Sequence, residues 1–288
     1  MKRYAAIVMI ALSAISCTSN SSNENQVSAL ELSEGLSAFN QEGTSVWTID
    51  HHGMAAEEGV DMPQSVATII SDSDINLPLL EKSMLIGLDL PFKFLIYQET
   101  DTSDLRIAYT SAEFIARRHD LESLDLLEEY EQAALMRIRK LGEYPLDKPN
   151  LKFVKKHFGM VFLPSQKAFE PTIASLKKVI MSQGDTRWFG EIEYHKEAAK
   201  TGVTLPRTTL LLFGGPSPGG KAMAEYPHLG LDAFCQKVLV MEDDKGRVQI
   251  VYNDILDFAN LYYSKYNKVQ EVINGRLKQA FTVAISEQ

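Results

Sequence analysis

At 288 residues the chain has room for two domains of ordinary size, and 45% hydrophobic with 23% charged residues is the make-up of a folded globular protein. A net charge of −9, with no basic cluster beyond Lys152–Lys156, leaves little to neutralise a phosphate backbone and excludes nucleic acid as a partner.

Lys2 and Arg3 precede an apolar run from Ala5 to Ala14. A bilayer-spanning helix needs about 20 apolar residues, so this run predicts a cleaved signal peptide instead. Ala14-Ile15-Ser16-Cys17 resembles a lipoprotein signal box, with Ala14 where Leu is commoner. That resemblance implies an acylated, palmitate-bearing Cys17, a membrane partner through the N-terminal lipid, and a place in a bacterial cell envelope on the periplasmic or outer side. Residues 1–17 are then the signal peptide, and 18–27, rich in Ser and Asn, a flexible tether. With Cys17 acylated, Cys235 is a lone thiol in an apolar run and reads as a small buried hydrophobe.

The rest of the chain is a duplication. At an offset of 143, Ile49-Asp50-His51-His52 meets Ile192-Glu193-Tyr194-His195, and Ala55-Ala56 meets Ala198-Ala199. Gly59-Val60, Pro63, Gly87-Leu88-Asp89 and Tyr109 likewise find themselves at Gly202-Val203, Pro206, Gly230-Leu231-Asp232 and Tyr252. Fifteen of 68 positions from 49 to 116 are identical, where average residue usage gives about 4 by chance. Lys93 fits Lys237 one residue out of step, which predicts a bulge or a longer turn there.

The first copy predicts a helix over 28–41, strands near 45–52, 66–71, 92–98 and 105–110, and helices from Ser111 and over Glu122–Leu141. The second predicts strand 158–163, a helix after Ser165 ending near Gly184, strand 188–195, a helical turn at 198–200, strands 208–213, 237–242 and 248–252, and a helix over 266–279. Phe281-Thr282-Val283-Ala284-Ile285 reads as a strand that completes the first copy's sheet. The units are a first repeat (28–120), a connecting helix and linker (121–156), a second repeat (157–265) and a C-terminal helix and strand (266–288). The fold class is α+β, two β-α-β(4)-α repeats related by a pseudo-two-fold.

Chemistry-bearing residues recur in both copies. Asp50/His52 and Glu193/His195 place an acid two residues before a histidine, which on a strand shares one face. Each acid would then orient the imidazole or share a metal with it, while in the plainer reading the His caps the turn that follows. Gly215-Pro216-Ser217-Pro218-Gly219-Gly220-Lys221 approaches a phosphate-binding loop, but Ala222 replaces the Mg²⁺-holding hydroxyl and two prolines delete amide donors, so a rigid turn is expected. Asp89 and Asp232 follow Gly-Leu as turn formers or functional carboxylates, and Lys93 and Lys237 read as solvated.

These residues resemble the domain-of-unknown-function 302 family, in tandem. His52 with Ala55–Gly59 and His195 with Ala198–Gly202 fit its first element. Phe213-Gly214-Gly215-Pro216, Gly87-Leu88-Asp89-Leu90-Pro91-Phe92-Lys93, Tyr252-Asn253-Asp254 and Arg118-His119-Asp120-Leu121 fit the others, with Tyr262 opposite His119. The resemblance implies a TATA-box-binding-protein-like arrangement and no particular activity. The candidate ligand site is thus Asp50, His52, Asp89, Lys93, His119, Glu193, His195, Asp232 and Lys237, with Gly214, Gly215 and Pro216 as a candidate loop. No cofactor is identified. The expected role is a binding module for an unknown small molecule or protein. The alternative is a metal- or cofactor-handling protein, or an enzyme, using His52, His119 and His195.

Overall fold

The computed structural model describes residues 27–38, 44–122 and 125–287. The signal peptide, Cys17, most of the tether and the end of the first predicted helix lie outside them. The first repeat runs α1 (Ala29–Ser37), β1 (Ser45–Asp50), α2 (His51–Glu57), β2 (Ser65–Ser71), α3 (Ser73–Lys82), β3 (Phe92–Tyr97), β4 (Arg106–Tyr109) and α4 (Ala112–His119). Then come α5 (Asp125–Arg139) and a two-residue β5 (Leu146–Asp147). The second repeat runs β6 (Met160–Pro164), α6 (Phe169–Met181), β7 (Arg187–Ile192), α7 (Tyr194–Lys200), β8 (Thr208–Gly214), α8 (Pro216–Met223), β9 (Gln236–Glu242) and β10 (Val248–Asn253). It closes with α9 (Ile255–Tyr263) and α10 (Lys268–Ile285). A 3₁₀ turn precedes β3 and its counterpart β9, at Met84–Leu88 and Pro227–Gly230.

Local chemistry sets the boundaries. Ser28 and Glu31 form a reciprocal capping box at α1, as Asn267 and Gln270 do at α10. Asp50 ends β1 early because its carboxylate accepts the Gly53 N–H and starts α2. The predicted strands to 52 and 195 are therefore corrected: His52 and His195 lie on α2 and α7, and neither stands beside its acid on a strand face.

Two five-stranded sheets result, ordered β1-β2-β3-β4-β5 and β7-β8-β9-β10-β6. Strand pairing explains the one-residue step. Ile69 opposes Lys93 and Leu212 opposes Lys237, so the lysines are equivalent. Two residues separate Asp89 from β3 and three separate Asp232 from β9, so the extra residue lengthens the turn and leaves the strand regular.

The expected strand at 281–285 is overturned. These residues are the last turns of α10, where Phe281, Ala284 and Ile285 continue the buried stripe of Ile273 and Leu277. Burial at helical spacing outweighs the β-propensity of Phe, Val and Ile. The first sheet's edge is instead filled by β5, which pairs parallel to β4.

Alternation along the strands sorts the core. Phe92 turns toward α5 and stacks on Tyr130 at 4.6 Å, while Leu95 turns toward Gly230 of the other repeat. One core cluster joins both repeats: Ile49, Leu88 and Leu95 with Tyr194, Leu212 and Leu239. The second lies between the second sheet and α6 and α10. The two sheets face each other, with α5 on the outer side of the first and α6 and α10 on that of the second, while α2 meets α8 across the two repeats.

Candidate functional site

The interface between the sheets is built from reciprocal contacts. Tyr194 Oη donates to the Gly87 carbonyl at 3.0 Å, and His51, at the equivalent position, places Nε2 3.3 Å from the Gly230 carbonyl. A Cβ on Gly87 would lie 2.9 Å from the Tyr194 ring, and one on Gly230 2.9 Å from the His51 ring. The glycine of each Gly-Leu-Asp segment thus makes room for an aromatic ring from the opposite repeat. Trp47 meets its own counterpart, Gly190, whose Cβ would fall 2.5 Å from Trp47 Nε1. Two equivalent residues in contact mark the pseudo-two-fold axis.

At the centre the structure brings together Asp89, Lys93, His119, Asp232 and Lys237, all buried. The ammonium of Lys93 crosses the interface to pair with Asp232 Oδ1. Tyr262 Oη donates to Asp232 Oδ2 at 2.5 Å, and His119 Nε2 donates to Asp89 Oδ2 at 2.7 Å, so the two closing helices (α4 and α9) treat their aspartates alike. Arg118 breaks the symmetry. Its guanidinium donates to Asp89 Oδ1 (2.6 Å), Asn253 Oδ1 (2.7 Å) and the Phe158 carbonyl (2.8 Å). It therefore occupies the carboxylate oxygen that Lys237 would take by analogy with Lys93. Lys237 Nζ is left with no hydrogen-bond partner, 3.8 Å from Asp232 Oδ1.

The electrostatics follow. Burial opposes ionisation of Asp89 and Asp232, but Arg118 and His119 for the one, and Lys93, Lys237 and Tyr262 for the other, outweigh it and hold both below the usual carboxylate range. Burial also opposes the charge on Lys93, yet the two carboxylates hold its pKa above the ordinary value. Lys237 goes the other way: burial and the Lys93 ammonium push it down to about 7. Two aspartates against Lys93 and Arg118 make a neutral set, to which Lys237 adds an amine that loses its charge as pH rises through about 7.

The remaining candidates lie elsewhere. His52 Nδ1 lies 2.6 Å from the Met62 carbonyl, and His195 Nδ1 lies 3.0 Å from the Thr208 carbonyl and 3.3 Å from its amide nitrogen, so each closes the loop behind its short helix. Asp50 caps α2, and Glu193 pairs with Lys196. The rigid turn expected over Gly215–Lys221 is corrected: Gly214 ends β8, Gly215 is the N-cap and Pro216 opens α8, a proline at the first helical position costing no hydrogen bond, beside a cavity of about 10 Å³ with room for one water at most. Cys235 is buried, and its thiol is pushed up to about 12 by that burial. Among the described residues no group of three or more His, Cys, Asp or Glu side chains is placed to hold a metal ion. Sequence reasoning passed over Arg118, Asn253, His51 and Tyr194. The first two stood in recognised motifs, and the last two share a duplicated position.

Two seams flank the centre at equivalent places. One is packed with aromatic rings: His228 stacks on Tyr262 at 4.0 Å and lies 5.0 Å from Tyr97, and Tyr226 meets Tyr263 at 5.1 Å. At the other seam Ser83, Leu85 and Met241 replace Tyr226, His228 and Tyr97, and a cleft of about 560 Å³ remains. Met84, Asp243 and Arg247 also line it.

The comparisons agree with the duplication. The family model described as domain of unknown function DUF302 matches residues 25–140 and again 161–282. Two curated proteins, fluoride-specific ion channel FluC 1 of Brucella suis biovar 1 (strain 1330) and of Brucella abortus biovar 1 (strain 9-941), are each 30% identical over 96 residues. That stretch is 33% of this chain and 37% and 35% of theirs, so the chain spans about a third of the length of these relatives. No helix among the described residues is long and apolar enough to cross a membrane. The crystal structure of an uncharacterised DUF302 protein from Bacillus stearothermophilus aligns with a TM-score of 0.36 at 12% identity, over 44% of this chain and 95% of that one. Two matches that together take in most of the sequence, each falling on one copy of the repeat, show that the chain belongs to the DUF302 family and carries its domain twice.

Proposed function

We propose that this is a lipid-anchored protein of the cell envelope that works as a binding module, its ligand held in the open seam between the two repeats. The observation that carries the reading is the inequality of the seams. Duplication provided two equivalent interdomain crevices, of which one is filled by Tyr97, Tyr226, His228, Tyr262 and Tyr263 and the other is left with smaller side chains around about 560 Å³. That volume is within the roughly 300–1,000 Å³ typical of small-molecule sites, which favour domain interfaces. The lining, with Met84, Leu85 and Met241 beside Asp243 and Arg247, suits an amphiphilic small molecule.

The test is a thermal-shift screen of residues 27–288, which contain every described element, against lipids, quinones, peptidoglycan fragments, haem and divalent metals. A ligand at 100 times its dissociation constant adds about 2.7 kcal/mol, enough to raise the midpoint by several degrees. The cleft reading expects a hit that Leu85→Trp abolishes and the pair His52→Ala, His195→Ala retains. A hit with the opposite pattern would replace it with the metal- or cofactor-handling alternative. Anchoring is tested separately: the mature protein should carry acyl mass that Cys17→Ser removes.

A further inference from the structure

The linker between the repeats forms a tip unlike the rest of the surface. From Lys148 to His157 it carries Lys148, Lys152, Lys155 and Lys156 with no acidic residue, in a chain whose net charge is −9. At its crest Phe153 is 67% exposed, the most exposed large hydrophobic side chain among the described residues, with the Lys152 ammonium 5.8 Å from its ring centroid.

The tip is braced from several sides. Asn150 accepts the Lys152 N–H at the start of a 3₁₀ turn, Arg117 donates to the Leu151 carbonyl at 3.2 Å, Val154 is buried, and the His157 N–H donates to the Arg118 carbonyl at 2.8 Å. Ordering the segment therefore leaves Phe153 outside while its neighbour Val154 goes in. Beside it opens a groove of about 510 Å³ lined by Arg117, Lys148, Asn150 and Lys152 together with Ser111 and the carboxylates of Glu113 and Glu131, of which Glu113 pairs with Arg117 at 2.9 Å, so the three cations outnumber the two acids by one. An exposed aromatic ring with one ammonium beside it, in a segment with three further lysines of which Lys156 pairs with Asp120, is the composition of a side chain that enters the headgroup boundary of a bilayer while ammonium groups reach the phosphates.

We propose that this tip docks the protein onto an anionic phospholipid surface, with Phe153 in the interfacial layer and a headgroup phosphate drawn into the Arg117/Lys148/Lys152 groove. Charge complementarity selects the occupant. A protein of net charge −9 is on average repelled by an anionic bilayer, and a segment with four lysines and no acid offsets that repulsion locally. The contact depends neither on acylation of Cys17 nor on the interdomain cleft, and it is tested without both.

The experiment is co-sedimentation of residues 27–288 with vesicles of pure phosphatidylglycerol and of pure phosphatidylcholine. Binding is expected on phosphatidylglycerol alone, weakened about tenfold by Phe153→Ser and abolished by the pair Lys148→Glu, Lys152→Glu. Circular dichroism is expected to be unchanged in all variants, since the three side chains are exposed. Phe153→Trp should retain binding and show blue-shifted emission on the vesicles. No binding to phosphatidylglycerol, equal binding to both lipids, or a Phe153→Ser variant that binds like the parent would each overturn the proposal.

Discussion

Asp89 and Asp232 stand at equivalent places, yet Arg118 reaches only the first, and the consequence falls on Lys237. Its folded pKa of about 7 lies below the ordinary 10.5, so between those values the unfolded chain binds a proton that the folded chain does not. Stability contributed by this group therefore rises with pH from about 7 toward 10.5 and is absent below 7. Lys237→Met, similar in length and uncharged, should remove that rise and stabilise the protein at pH 6 by on the order of a few kcal/mol. Denaturant titrations of both proteins at pH 6 and pH 9 decide it. An unchanged slope with pH would mean that Lys237 keeps its charge. At the same scale, Gly87→Ala and Gly230→Ala each drive a methyl group to 2.9 Å from an opposing ring and should cost about 1–3 kcal/mol, whereas Gly184→Ala meets nothing within 4 Å and should change little. Equal midpoints for all three variants would dispose of the close-approach account of the Gly-Leu-Asp motif.

Among the elements, the sequence was most legible where periodicity and capping agreed. Strands β2, β8, β9 and β10 lie where their β-prone apolar runs put them, α6 where apolar residues recur at helical spacing, and α1 starts at its Ser28 cap, because a core face and a cap are local signals. The C-terminal run Phe281–Ile285 misled because composition spoke for a strand while its partners, Phe213 and Tyr252, are far away in sequence. Phe281→Ala should therefore destabilise by about 3–5 kcal/mol, through a hole beneath α10 rather than a lost edge strand in the first sheet. Hydrogen exchange locates the damage: the largest acceleration is expected in β8 and β10, with β4 speeding up only by as much as global unfolding does. The candidate site was only half legible. Asp89, Asp232 and both lysines were visible as duplicated residues, but the lysines read as solvated because nothing local says that one sheet covers the other. Asp50/His52 looked like a pair because a strand was carried two residues too far, and the cap that ends it is a single hydrogen bond.

For the whole molecule, a core cluster shared by both sheets makes separate unfolding of the repeats costly. Residues 27–145 alone should remain unfolded, and the intact chain should show one coincident transition by fluorescence and circular dichroism. Two resolved transitions would contradict the shared core. Acid acts on the same interface. Burial holds His51 and His228 at about 4, below the ordinary 6.5, so the unfolded chain takes up protons first as pH falls. Stability should decline between pH 6.5 and 4 by about 3 kcal/mol per histidine, and the decline should shrink by about half in His228→Phe. A variant with the parent's full acid sensitivity would place the titration elsewhere.

The contact of Trp47 with Gly190 also bears on how such a chain can change over generations. A symmetric pair of first halves would bring two indoles into one space, and a pair of second halves would face two bare backbones across a gap. Neither half can go back to self-association without a compensating change. Once the halves were joined, a substitution on the axis no longer struck both sides at once, so one crevice was free to fill with rings while its twin stayed open. The fusion works as a ratchet: it lets the two halves drift apart in chemistry while making each the other's obligatory partner.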